Sequence, residues 1–403
     1  MIQLPQTGGV RDLRNRPQLD GARFLAIISV LGYHYLNFLQ DPKTSFNIAV
    51  FISFFFVLSS FLITKILIVS KQKALESGHG KLKTGLAFLV RRTLRIFPAY
   101  YFYLLLIMLL PVGGAYLRDH AATFFLYLMN VRIYLDQSWG SFTAHLWTLA
   151  VEEQYYIVWP WLILFIPNRH LPKLFYAVIA AGILFRLIYY STHPAASIET
   201  VPMGILTPSC VDAFGIGGLL AYRHWQGRTS GAGMGKFILF FLPVWFFILI
   251  MNVQPISIAI NTSFASLMAA WALGGASVGY DNWFGRFLEN RIVRYLAKIS
   301  YGIYIYHLIA PLLFWKFFDQ SAHYLLQIGI NLRGLVPFIQ LPWVGFIIYS
   351  LVAISCAAVS WHFLERPISR LSRYITGPVP SAKTSSSDRV TFAKHSKSVN
   401  GEK

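Results

Sequence analysis

Apolar residues in this chain run in long blocks rather than alternating, and the blocks are long enough to cross a hydrocarbon core of roughly 30 Å. Ten such stretches fall near residues 21–39, 46–69, 97–112, 147–166, 173–192, 209–223, 236–252, 258–280, 299–318 and 343–364. The pattern predicts an all-α, polytopic membrane protein of ten transmembrane helices. A further run near 121–135 is short and interrupted by polar residues, and is expected to lie at an interface or re-enter rather than cross. Lysine and arginine cluster in 1–20, 70–96, 167–173, 223–236, 281–298 and 365–403, and are sparse in 40–45, 113–146, 193–208, 253–257 and 319–342. Cytoplasmic loops carry that excess, so both termini are expected in the cytoplasm. An eleventh crossing at 121–135 would move the basic 223–236 and 281–298 loops outside. The chain then divides into a cytoplasmic N-terminal segment 1–20, a transmembrane domain 21–370 and a basic tail 371–403, expected to be disordered from Gly377 onward.

Composition agrees with this reading. Of 403 residues, 56% are hydrophobic, 16% aromatic and 13% charged, and the mean hydropathy is +0.52, which excludes an ordinary soluble domain. The formal net charge of +19 sits in short runs between apolar spans and marks topology, so no nucleic-acid partner is expected. Arg11, Arg14 and Arg16 precede the first apolar run without a cleavage pattern, so that run is read as an anchor rather than a signal peptide. Cys210 and Cys356 lie in apolar surroundings and are read as free buried thiols. No soluble extracytoplasmic domain and no internal repeat is legible; the first favours an enzyme acting alone, the second weighs against a transporter built on inverted repeats.

The ionisable residues inside apolar spans come next, because such groups mark function more often than chance. Arg23 and His34 are eleven residues apart on one helix, on nearly the same face and roughly 16 Å apart along the axis. The structural alternative is a snorkelling arginine and a histidine bonded to a neighbouring helix. Glu152, Glu153 and Asp212 are the acidic residues inside spans, and each needs a partner. Depth counted from span ends puts His34, Glu152, Arg186 and Asp212 in one outer-half layer, which predicts a functional cavity there. A histidine beside a carboxylate suits acid-base chemistry, or is a plain structural hydrogen bond. His307 is expected nearer the midplane and His145 nearer the outer rim. Arg92 and Arg95, three apart at the cytoplasmic start of a span, either anchor to lipid headgroups or clamp an anionic donor. There is no Walker loop, no Rossmann fingerprint and no zinc-like cluster. His362 and Glu365 have helical ligand spacing but lie at the inner edge, and no metal is expected.

Taken in order, several segments resemble the acyltransferase-3 family of integral membrane acyltransferases: Asp20-x-x-Arg23 with His34; Phe54 to Thr64; Arg91-Arg92-x-x-Arg95-x-x-Pro98-x-Tyr100; His145 to Tyr156; Ser300-Tyr-Gly-Ile-Tyr-Ile-Tyr-His307; and Glu365-Arg-Pro367. The set covers roughly residues 18–370. Ser60 and Thr148 depart from the family's usual glycine and frequent serine. The resemblance implies transfer of an acyl group, commonly acetyl from acetyl-CoA, onto a sugar hydroxyl. Arg23 and His34, Arg92 and Arg95, and Glu152 match the family's functional positions. The expectation is that His34 acts as base with Glu152 orienting it, directly or through an acyl-histidine, while Arg23, Arg92 and Arg95 hold the acyl-CoA donor. Glu153, Arg186, Asp212, His145 and His307 are expected on the side of the carbohydrate or glycolipid acceptor. The partners implied are acyl-CoA, that acceptor and membrane lipid, and the location is the cytoplasmic (inner) membrane. The alternative from another class is a secondary transporter or flippase for an anionic solute or glycolipid; a scaffold or sensor ranks last.

Overall fold

The computed structural model describes residues 17–36, 46–78, 80–111, 113–193, 201–228, 256–328 and 330–376, with scattered positions between 239 and 247. The predicted N-terminal segment up to residue 16, most of the 236–252 span and the tail from 377 lie outside the described residues. Among the described residues all regular structure is helical. Within lipid this follows from the need to satisfy every backbone N–H and C=O inside one segment. The principal helices are α1 (Pro17–Tyr35), α2 (Phe46–Glu76), α3 (Lys81–Met108), the short α4 (Ala115–Asp119), α5 (Ala121–Phe125) and α6 (Met129–Asp136), then α7 (Trp147–Phe165), α8 (Leu171–Thr192), α9 (Thr207–Trp225), α10 (Ile256–Val278), α11 (Trp283–Leu288), α12 (Arg291–Lys298), α13 (Ser300–Tyr306), α14 (Ala310–Gln327), α15 (Pro342–Ser360) and α16 (Arg366–Thr376). Three helical segments, Phe51–Glu76, Asn168–Thr192 and Pro342–Ser372, are long and apolar enough to cross a bilayer. This is a membrane protein.

Several predicted spans change shape. The 97–112 span and the basic segment before it form one helix, α3, which runs through Pro98 and carries Arg92 and Arg95 on its N-terminal half. The 121–135 run is split into α5 and α6 by a turn in which Tyr127 takes φ 55°, so no single helix there has the length to cross. The 299–318 span is broken between Tyr306 and Ala310. Pro311, in the first turn of α14, has no N–H for the carbonyl of His307, and its ring crowds that carbonyl in a continuous helix. The His307 carbonyl accepts instead from the Ala310 N–H at 3.3 Å and from the hydroxyl of Tyr35, at the end of α1, at 2.6 Å.

The helix α9 packs closely on α2 and α8, and α1 lies among α2, α10, α11, α12, α13 and α15. Close approach of α9 to α2 depends on a small residue: a Cβ at Gly217 would come within 2.4 Å of the Val57 carbonyl oxygen and 2.7 Å of the Ser60 Cβ. Ser60 itself uses its hydroxyl, donating to the Phe214 carbonyl at 2.6 Å and accepting from Tyr155 at 3.0 Å. The serine that departs from the family pattern is therefore part of the seam between α2 and α9.

Candidate active site

Three cavities follow one another along α1, each sharing lining with the next. The first, about 670 Å³, is lined by Asp20, Arg23, Arg95, Arg291, Arg294, Lys298 and Glu365 among others. The second, about 120 Å³, shares Arg23, Leu62, Arg95 and Lys298 with it and adds Arg92, Glu152 and Tyr156. The third, about 450 Å³, shares Val30, Ile52, Phe56 and Tyr304 with the second and contains His34 and His145. The face of α1 that carries Arg23 and His34 thus borders a path from an arginine-rich end to a histidine-bearing end.

At the arginine end, Arg23 pairs with Asp20 at 3.7 Å, and the Arg92 guanidinium lies 5.0 Å from the centre of the Tyr156 ring. The Tyr156 hydroxyl donates to Glu152 Oε2 at 2.9 Å. Its single proton is then used, so Ser59 supplies the second bond at 2.5 Å. The cations Arg23, Arg92, Arg95, Arg291, Arg294 and Lys298 outnumber the carboxylates Asp20, Glu152 and Glu365 across the first two cavities. Such a surplus suits a polyanion.

At the other end the His34 ring centre is 4.8 Å from that of His307, and His307 is 4.8 Å from His145. Both partners sit where helices begin or end: His145 in the 3-10 turn Ala144–Leu146 that leads into α7, His307 at the break before α14. Tyr304 ties them together. Its hydroxyl donates to the His145 carbonyl at 2.8 Å and accepts from Thr148 at 2.7 Å, while its carbonyl accepts from His307 Nδ1 at 2.6 Å. Thr148, the second departure from the family pattern, is thereby used. Trp139, Trp147 and Phe56 give this cavity aromatic walls.

The four residues predicted to border one cavity do not all share it. Glu152 and His34 line different cavities, because the turn before α7 brings His145 to the level of His34 and leaves Glu152 two helical turns further on, beside the arginines. Arg186 and Asp212 line none of the three cavities. They form a buried two-bond ion pair at 3.0 and 2.8 Å, with Ser263 bridging to Asp212 at 2.5 Å. Glu153, buried on α7, faces away toward Tyr100, Tyr101, Tyr127 and Tyr301, and its Oε1 has no hydrogen-bond partner. Among the described residues no three His, Cys, Asp or Glu side chains are grouped to hold a metal ion. Arg291, Arg294 and Lys298 also line this arginine-rich cavity, although their segment reads in the sequence as basic loop. Their spacing of three and four, one helical face, was the available signal.

No solved structure gives a significant match to the chain. Among curated proteins, the peptidoglycan O-acetyltransferase OatA of Listeria monocytogenes is 28% identical over 329 residues, covering 72% of this chain and 48% of the relative. The putative peptidoglycan O-acetyltransferase YrhL of Bacillus subtilis is 26% identical over 390 residues, covering 87% and 54%. A putative O-acetyltransferase of Staphylococcus aureus is 26% identical over 326 residues, covering 74% and 51%. The chain spans about half the length of these relatives. The family model described as an acyltransferase domain matches residues 16–362, which takes in both ends of the path along α1, and the chain belongs to this acyltransferase-3 family.

Proposed function

We propose that this chain is a multi-pass protein of the cytoplasmic membrane that transfers an acetyl group from acetyl-CoA to a hydroxyl of a surface carbohydrate, with peptidoglycan the first acceptor to test. Ten crossings with both ends in the cytoplasm turn the arginine-rich cavity toward the compartment that holds acetyl-CoA. Arg23, Arg92 and Arg95 bind the CoA phosphates. The roughly 16 Å from Arg23 to His34 along α1 is close to the reach of an extended pantetheine arm, which passes between Val30, Ile52, Phe56 and Tyr304. His34 then removes the proton from the acceptor hydroxyl as its oxygen bonds to the acetyl carbon. The carbon–sulfur bond breaks, and the proton passes on to the departing CoA sulfur. Glu152 offsets the guanidinium charge and fixes Tyr156 under Arg92.

The observation that carries this reading is the shared lining of the three cavities between Arg23 and His34. The relatives named as O-acetyltransferases support the acceptor class. The test is CoA release from acetyl-CoA by the purified protein in lipid, given peptidoglycan fragments, with mass spectrometry of the acetyl ester. His34→Ala should lower the rate about 10²- to 10⁴-fold, the usual worth of a general base, with membrane insertion intact. Solute flux across vesicles without CoA release would instead identify a carrier.

A further inference from the structure

The segment from Tyr280 to Lys298, basic loop by its sequence, is held against the Arg23 end of α1 at several points. The Gln18 amide accepts from the Tyr280 N–H at 2.7 Å and donates to the Tyr280 carbonyl at 3.1 Å and to Glu289 at 2.9 Å. A Cβ at Gly21 would stand 2.4 Å from the Leu288 carbonyl oxygen, so α11 closes on α1 with no side chain between them. Asn290 caps α12, accepting from the Ile292 N–H at 2.9 Å. That helix packs on α1 with Val293 and Ala297 on its buried face. Arg291, Arg294 and Lys298, at steps of three and four, share the opposite, exposed face. Among the described residues neither Arg291 nor Arg294 forms an ion pair. Basic residues that only mark topology need charge and no fixed place, yet these are fixed on the wall of the first cavity.

We propose that Arg291 and Arg294 form the subsite for the 3′-phosphate of the CoA donor, and so let the protein tell acetyl-CoA from acetyl-3′-dephospho-CoA. The inference rests on the acetyl-transfer reading. From the thioester outward the donor runs through the pantetheine arm, the diphosphate, and the ribose with its 3′-phosphate. With the thioester at His34, the arm follows α1 and the diphosphate falls among Arg23, Arg95 and Lys298, which line both the first and the second cavity. Arg291 and Arg294 line the first cavity alone, the next stop along the same line. At about 670 Å³ that cavity falls within the range of about 300–1,000 Å³ usual for small-ligand sites. A phosphate monoester carries close to two negative charges and three acceptor oxygens, which two guanidiniums without an ion pair of their own can meet. Tyr295 and Trp361 on the same wall offer ring surface to the adenine.

The test is thiol release by the full chain in phosphatidylcholine, with peptidoglycan fragments and either acetyl-CoA or acetyl-3′-dephospho-CoA as donor. It is run at about 0.15 M salt, where exposed charges more than about 8 Å apart are largely screened. For the parent, KM for the dephospho donor is expected roughly 10- to 100-fold above that for acetyl-CoA, the worth of one hydrogen bond to a charged group. The double variant Arg291→Ala with Arg294→Ala should raise KM for acetyl-CoA by about the same factor and bring the ratio of the two KM values close to one. Both side chains lie on an exposed face, and an unaltered melting temperature in detergent checks that the variant is folded. A parent that uses both donors with one KM, or a variant that keeps the parent's ratio, would overturn the subsite. A variant that falls behind the parent only when phosphatidylglycerol is added would give the two arginines to a lipid headgroup, and overturn it as well. No release from either donor by the parent would remove the acetyl-transfer reading and the subsite with it, a result distinct from equal KM values.

Discussion

Two buried clusters of ionisable side chains in this chain differ in whether their bonding is complete. Arg186 and Asp212 are closed on each other: two charge-assisted bonds, with Ser263 on the carboxylate and the Ser209 carbonyl on the guanidinium. The cluster of His34, His145 and His307 borders a cavity and keeps two nitrogens without a donor. Burial of an ionisable group inside a membrane protein is therefore not sufficient evidence of function. A completed pair is explained by packing α8 onto α9, where a Cβ at Gly182 would meet the Asp212 backbone nitrogen at 2.9 Å. An incomplete cluster facing a cavity is not.

The largest effect the comparison predicts is on folding. Asp212→Asn leaves a buried guanidinium without its counter-charge, a loss of about 3–5 kcal/mol, and should lower the melting temperature in detergent or reduce the folded yield. The double variant Arg186→Met with Asp212→Leu removes both charges and should regain most of that stability, because apolar replacements of a buried pair are often neutral. CoA release by the double variant should match the parent. A well-folded double variant without transfer would place the pair in the chemistry and erase the distinction. The next effect lies at the arginine-lined second cavity. Arg92→Ala should raise KM for acetyl-CoA roughly 10- to 100-fold, the worth of one hydrogen bond to a charged group at about 1.5–3 kcal/mol, and leave KM for the glycan acceptor alone. Equal increases for both substrates would separate Arg92 from the donor.

These differences mark where sequence reasoning stops. Arg23 and His34 were legible because both interrupt one apolar run at a spacing that repeats the helix, and Arg92 with Arg95 because they share a face. Periodicity does not fix how a helix is rotated or how deep it sits. Glu152 and Glu153 are adjacent, yet one lines a cavity and the other faces a tyrosine cluster, and only the packing of α7 against α3 decides between them. The partnership of Arg186 and Asp212 joins α8 to α9, and no local pattern announces it. The break at His307 had a signal, a proline four residues on, but an apolar run read for length passes straight over it.

A third cluster offers the mildest test. Asp136 at the end of α6 accepts from Arg132 Nε at 2.6 Å and from Tyr116 at 2.9 Å, with His120 3.5 Å away. It is closed, like Arg186 with Asp212, but lies in a loop region within reach of water. Partial burial pushes the Asp136 carboxyl up, and the bonds from Arg132 and Tyr116 outweigh that and hold it below the usual carboxylate value. A carboxyl whose pKa is lower folded than unfolded contributes stability above its unfolded value and loses it as pH falls through the folded one. Acidification should therefore loosen α4 to α6 before the membrane core. Asp136→Asn should produce the same loosening at neutral pH and remove its pH dependence, read as faster amide exchange or proteolysis between residues 115 and 136. Because water can replace these bonds, the change should be smaller than for Asp212→Asn. An equal loss from the two sites would mean that closure alone, and not closure within the membrane, sets what a polar cluster contributes.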